Sequence, residues 1–145
     1  MTEPRVAPRS FWSDFWDRFD RGLWEPQTLR KLCALTEGDL FVDIGAWIGP
    51  TALTAAVNGA RVLAFEPDPV ARQELEDNVK ANPGVNVTVY PIALSDREGV
   101  FRLTAHDWLG DSMSSLARRR TASALSSLWC EPGQAPLALW ERGRG

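Results

Sequence analysis

Apolar positions near the start of the chain recur every three or four residues. "SFWSDFWDRFDRGLW" places Phe11, Trp12, Phe15, Trp16, Phe19 and Leu23 on one helical face, with Asp14, Asp17 and Asp20 between them. Ser10 stands where an N-cap would. An aromatic stripe of this kind predicts a helix packed on the body of the protein; a lid or partner-binding helix is the functional alternative. In "WEPQTLRKLCALTEGD", Pro26 suits a first helical turn, Leu29, Leu32, Cys33 and Leu35 share a face, and Gly38 stops the helix.

The pattern then changes period. "LFVDI" is apolar without alternation and predicts a strand buried on both sides. "PTALTAAV" predicts a helix of small residues able to lie close against a sheet, ended by Asn58 and Gly59. "RVLAF" is a second strand. "DPVARQELEDNVKAN" is a helix with Asp68 as N-cap and Pro69 at its first position, its inner side marked by Val70, Leu75 and Val79. "NVTVYPI" is a third strand, "SDREG" a turn, and "VFRLT" a fourth strand expected to pair back as a hairpin. Strand, helix, strand, helix, strand opens a doubly wound parallel sheet, so the predicted class is α/β and Rossmann-like.

Composition narrows the picture. A chain of 145 residues makes one domain with a real core. Its net charge of −3 disfavours an electrostatically driven nucleic-acid binder. No run approaches the roughly 20 apolar residues of a membrane span. With no apolar leader and only Cys33 and Cys130, a reduced, cytoplasmic setting is expected.

The charge is uneven: residues 117–145 hold five Arg and two Glu, and after Leu116 there is no Val, Ile, Phe, Tyr, Lys, Asp or Asn. The expected division is therefore a helical segment over 1–38, a ligand-binding half over 39–116, and an atypical tail over 117–145, poorly ordered or with a short helix in "TASALSSLW".

Candidate chemistry lies at the strand ends, where open parallel sheets bind ligands. Asp43 ends the first strand and Glu66 follows the second; between them the bend "GAWIG" has Gly45 and Gly49 where side chains would block a close approach. A carboxylate after the second strand suits the two hydroxyls of a ribose. Asp43 would repel a pyrophosphate but attract an ammonium, and the bend lacks the central glycine of the dinucleotide fingerprint. An amino acid joined to adenosine satisfies both acids, which points to S-adenosylmethionine.

The motifs "FVDIGAWIGPTAL", "AFEPDPVARQELEDNVKAN", "VYPIALSDREGVFRL" and "GDSMSSL", in that order, resemble those of FkbM-type S-adenosylmethionine-dependent methyltransferases over about residues 24–116. The resemblance implies the class I methyltransferase fold and O-methylation of a small-molecule, sugar or polyketide-type acceptor. Carried over by position, Asp43 would orient the methionine end of the cofactor. Gly45, Ala46 and Gly49 would form the close-approach loop, Glu66 would bind ribose, and Ala93 would contact adenine through its backbone. Trp47 stands where many relatives have Asn and would add an apolar wall.

Other residues have plainer readings. Asp96 organises the "SDREG" turn, with an adenine contact as the alternative. The serines of "GDSMSSL" read as polar loop, or as the edge of a substrate pocket. His106 has no acid or nucleophile fixed beside it by spacing and reads as surface loop. Glu25 and Thr28 start a helix or touch cofactor or substrate. The pattern places no metal site and names no catalytic base.

Relatives of this type would carry a "KIDVEGAE"-like strand after "GDSMSSL", and residues 117–145 offer no β-branched run for it. A sheet incomplete at its C-terminal side is expected, from truncation or a frame change near Arg118. Its first strand would then be an exposed apolar edge that a second copy could pair with. The competing functional readings are a non-catalytic remnant or interaction module and, third, a nicotinamide-dependent oxidoreductase.

Overall fold

Three of the four helix starts among the described residues follow one device, a proline at the first helical position. The computed structural model describes residues 4–6, 12–105, 108–116 and 127–128. Within them lie α1 (Ser13–Asp20), α2 (Pro26–Leu32), β1 (Leu40–Ile44), α3 (Pro50–Val57), β2 (Arg61–Phe65), α4 (Pro69–Lys80), β3 (Val87–Tyr90), β4 (Leu103–Thr104) and β5 (Ser127–Leu128). Pro26, Pro50 and Pro69 open α2, α3 and α4, where the missing N–H costs no helical bond. Asp68 caps α4 as expected, its carboxylate accepting from the Val70 and Ala71 amides at 2.8 and 3.4 Å. Ser10 lies outside the described residues; α1 starts later, behind Trp12, with no side-chain cap.

The sheet runs β1-β2-β3 and both pairings are parallel, linked through α3 and α4. This is the predicted α/β class, a partial Rossmann-like sheet. Register places Asp43, Ala64 and Val89 in one row and Phe41, Val62 and Val87 in another. These rows face the core, where Ala52, Ala55 and Ala56 of α3 and Leu75 of α4 are buried with Val62 and Ala64. Small side chains bring α3 close to the strands. A second cluster joins Trp16 and Phe19 of α1 to Ile48 and Leu53, so the aromatic stripe does pack on the domain.

Several expectations need correction. α2 ends at Leu32, with Cys33 as its C-cap, well before the Gly38 expected to stop it. β1 is not buried on both sides: Leu40, Val42 and Ile44 are 57%, 44% and 65% exposed, because among the described residues β1 is a sheet edge, as the lack of a neighbouring strand implied, and the helices cover only the opposite face. Val70 is half exposed rather than on the inner side of α4, and Leu23 is exposed because α1 ends at Asp20. "VFRLT" does not pair back on β3. Only Leu103 and Thr104 are strand, paired antiparallel with Ser127 and Leu128, and Thr104 also bridges Ser115. Those pairings make residues 127–128 strand where the sequence allowed a helix; the rest of 117–145 lies outside the described residues. No helix among the described residues is long and apolar enough to cross a membrane.

Candidate functional site at the strand ends

Parallel pairing of β1 with β2 delivers Asp43 and Glu66 to the same edge of the sheet. Asp43, 9% exposed, is anchored forward onto α3: its Oδ2 accepts from Thr51 Oγ1 at 2.6 Å, and the Ala52 amide also donates to it. Burial pushes its carboxyl above the ordinary value, and those two hydrogen bonds pull it partly back. Glu66 is 5% exposed and joins two loops. Its Oε2 accepts from the Trp47 amide at 2.7 Å and its Oε1 from the Asp68 amide at 2.8 Å. Burial raises this carboxyl as well, against the lowering effect of both amides.

Between the acids, the Gly45 and Ala46 amides donate to the Phe65 carbonyl at 2.9 and 3.1 Å. This ties the bend to the end of β2. Gly45 has φ +78°, is exposed, and a Cβ there would meet nothing within 4 Å. The space over Gly45 is open to a ligand. Gly49 differs: at φ +96° a Cβ would lie 2.5 Å from Leu75 Cδ1. Its lack of a side chain serves the packing of α3 on α4, where the sequence had placed it in the close-approach loop. Ala46 is buried, and Ala93 is buried beyond the end of β3.

Asp68 does more than cap α4. It is fully buried, and its Oδ2 accepts from the Gly110 amide at 2.8 Å and from Ser114 Oγ at 3.1 Å. Trp47 Nε1 donates to the Gly110 carbonyl at 2.7 Å, so the "GDSMSSL" loop is clasped from both sides over the strand ends. Buried Asn78 donates to the Ile48 carbonyl at 3.0 Å, holding the bend onto α4. Sequence reasoning missed these links. The one usable signal was a carboxylate at an N-cap, which has a second oxygen free for a distant loop.

The serines divide their roles: Ser114 holds Asp68, Ser115 pairs with Thr104, and Ser112 lines a groove. That groove has a volume of about 690 Å³ and is walled by Trp12, Phe15, Trp24 and Trp47, with Glu25 and Arg18 at its polar side. Glu25 also accepts from Thr28 Oγ1 at 2.9 Å. Asp96 is exposed and accepts from Ser95 Oγ, a turn contact. His106 lies outside the described residues.

The chain matches no family model and no curated protein. Two solved structures are similar to part of it. A proposed transferase of Pyrococcus horikoshii is 28% identical, with a TM-score of 0.41, over 46% of this chain and 27% of its own length. A proposed RNA methyltransferase of the same organism is 25% identical, with a TM-score of 0.34, over 52% and 32%. The similar region thus spans about a third or less of either protein.

Proposed function

We propose that residues 39–116 are the S-adenosylmethionine-binding half of an FkbM-type methyltransferase that methylates an oxygen of a small-molecule, sugar or polyketide-type acceptor. One observation carries the reading: an exposed, side-chain-free bend at Gly45, flanked by two buried carboxylates already fixed in place. A carboxylate has about four lone-pair sites, so Glu66 can accept from ribose hydroxyls while keeping both amides. Asp43 supplies the negative charge for the ammonium end. The bend fits this cofactor.

A nicotinamide dinucleotide fits worse. Its pyrophosphate would seek the first turn of α3, but the Thr51 hydroxyl and Ala52 amide there already serve Asp43. The helix N-terminus has its anion.

When bound, the cofactor supplies an electrophilic methyl carbon on a sulfonium. An acceptor hydroxyl would take that methyl group, with the displaced electron pair going to the sulfur and the proton to solvent. The chain contributes orientation. Glu66 fixes the ribose, Asp43 the amino-acid end, and the Trp47 amide keeps the bend rigid, since near-attack geometry dominates such displacements.

Calorimetry of the full chain with S-adenosylmethionine and with NAD tests this. Binding of the first alone, weakened about tenfold or more by Asp43→Asn or by Glu66→Gln, is the expected result. NAD binding, or unchanged affinity in both variants, would overturn it.

A further inference from the structure

The groove beside the bend has features that the cofactor does not use. Its walls are rings in edge-to-face contact: Trp47 lies 4.9 Å from Trp12 and 4.7 Å from Phe15, and Phe15 lies 5.3 Å from Trp24. Trp47 belongs to both sites. Its amide is bound by Glu66, while its ring forms part of the groove wall. Trp47 is therefore common to the groove and to the bend that starts at Gly45.

Backbone strain points to the same place. Among the described residues only two besides glycine have positive φ, Glu25 at 38° and Trp47 at 51°, and both line the groove. Held left-handed backbones of this kind concentrate at ligand sites, because packing elsewhere must hold them. The polar side is mixed in sign. Glu25 keeps one carboxylate oxygen beyond the Thr28 contact, and Arg18 has no ion pair with another described residue within 4 Å.

We propose that this groove is the acceptor site, taking a flat aromatic ring that carries a hydroxyl. The inference rests on the methyl-transfer reading for its direction, and on the groove's own chemistry for its ligand. Ring walls match a planar π-system by stacking and edge contacts. Glu25 accepts from the hydroxyl, and the Arg18 guanidinium donates to its oxygen. A saturated polyol would leave the indoles with little to stack on, so the aromatic class is favoured over a sugar.

The test is calorimetry of the full chain with 2-naphthol, with myo-inositol as the non-planar polyol, and separately with S-adenosylmethionine. Arg18 and Glu25 are exposed, so Arg18→Gln and Glu25→Gln leave the fold intact. The expected result is naphthol binding without inositol binding, weakened about tenfold in each variant while S-adenosylmethionine affinity is unchanged. Equal binding of inositol, naphthol affinity unmoved in both variants, or no naphthol binding by protein that binds the cofactor overturns the assignment. Naphthol binding that depends on Arg18 and Glu25 without cofactor binding overturns the cofactor reading and upholds the groove as a hydroxyarene site. Binding of neither sinks both.

Discussion

Glu66 is a buried carboxylate used as a backbone clamp, and its burial outweighs the clamp's hydrogen bonds in setting its titration. Burial raises Glu66 and Asp43 above their ordinary values of 4.5 and 3.8. A carboxyl raised in the folded state holds its proton more tightly there than in the unfolded chain. Its stabilising contribution is therefore full below the ordinary value and declines as pH rises through the raised one. Urea midpoints should fall as pH rises from the ordinary carboxylate range through the raised values. Glu66→Gln should flatten the fall. It should also lower the unfolding free energy at every pH, by about 1–3 kcal/mol, because an amide nitrogen cannot accept from one of the two N–H groups. The slope is the diagnostic quantity. Asp77, held below its ordinary value chiefly by the Lys80 hydrogen bond, works in the opposite sense but is too exposed to mask the trend.

At the scale of elements, two glycines in one bend do different work. Gly49→Ala would force a Cβ against Leu75 and a left-handed backbone together, and should cost about 2–4 kcal/mol in chemical denaturation. Gly45→Ala meets no atom and carries only the backbone strain, about 1–2 kcal/mol. Cofactor affinity should rank them the other way, with the greater loss at Gly45, where the methyl would occupy open ligand space. Asp68 links elements rather than shaping one. Asp68→Ala removes the α4 cap and leaves the Gly110 amide unpaired, an expected loss of about 2–4 kcal/mol. Amide exchange should show residues 108–114 loosening first.

For the molecule as a whole, the uneven covering of the sheet matters most. Val42, Ile44, Leu63, Phe65 and Tyr90 share the face opposite the helices, with the Phe65 and Tyr90 rings stacked at 4.9 Å. Leu40, Val42 and Ile44 of β1 are exposed at what is, among the described residues, a sheet edge, where unpaired backbone groups invite another strand. Self-association is the expected behaviour, and Leu40→Lys should reduce it in sedimentation velocity. Leu40 starts β1, at the opposite end of the strand from the bend, so cofactor affinity should not change. A variant that associates as strongly as the parent would remove β1 from consideration.

The sequence by itself determined the element order and most helix starts. It also placed Asp43 and Glu66 at strand ends, because apolar period, proline position and N-cap chemistry are local. The burial of β1 could not be read locally: an unalternating apolar run predicts two covered faces, and only tertiary structure shows which faces receive a helix. The short β4 went the same way, since pairing partners for two-residue strands come from distant chain. At the site, residue types announced the carboxylates but not their partners. Glu66 bridging Trp47 and Asp68, Asp68 holding Gly110, and Gly49 yielding to Leu75 all depend on segments brought together by the α3 and α4 crossovers. The groove arises likewise, from an aromatic helix folding back onto Trp47, a contact that no spacing along the chain encodes.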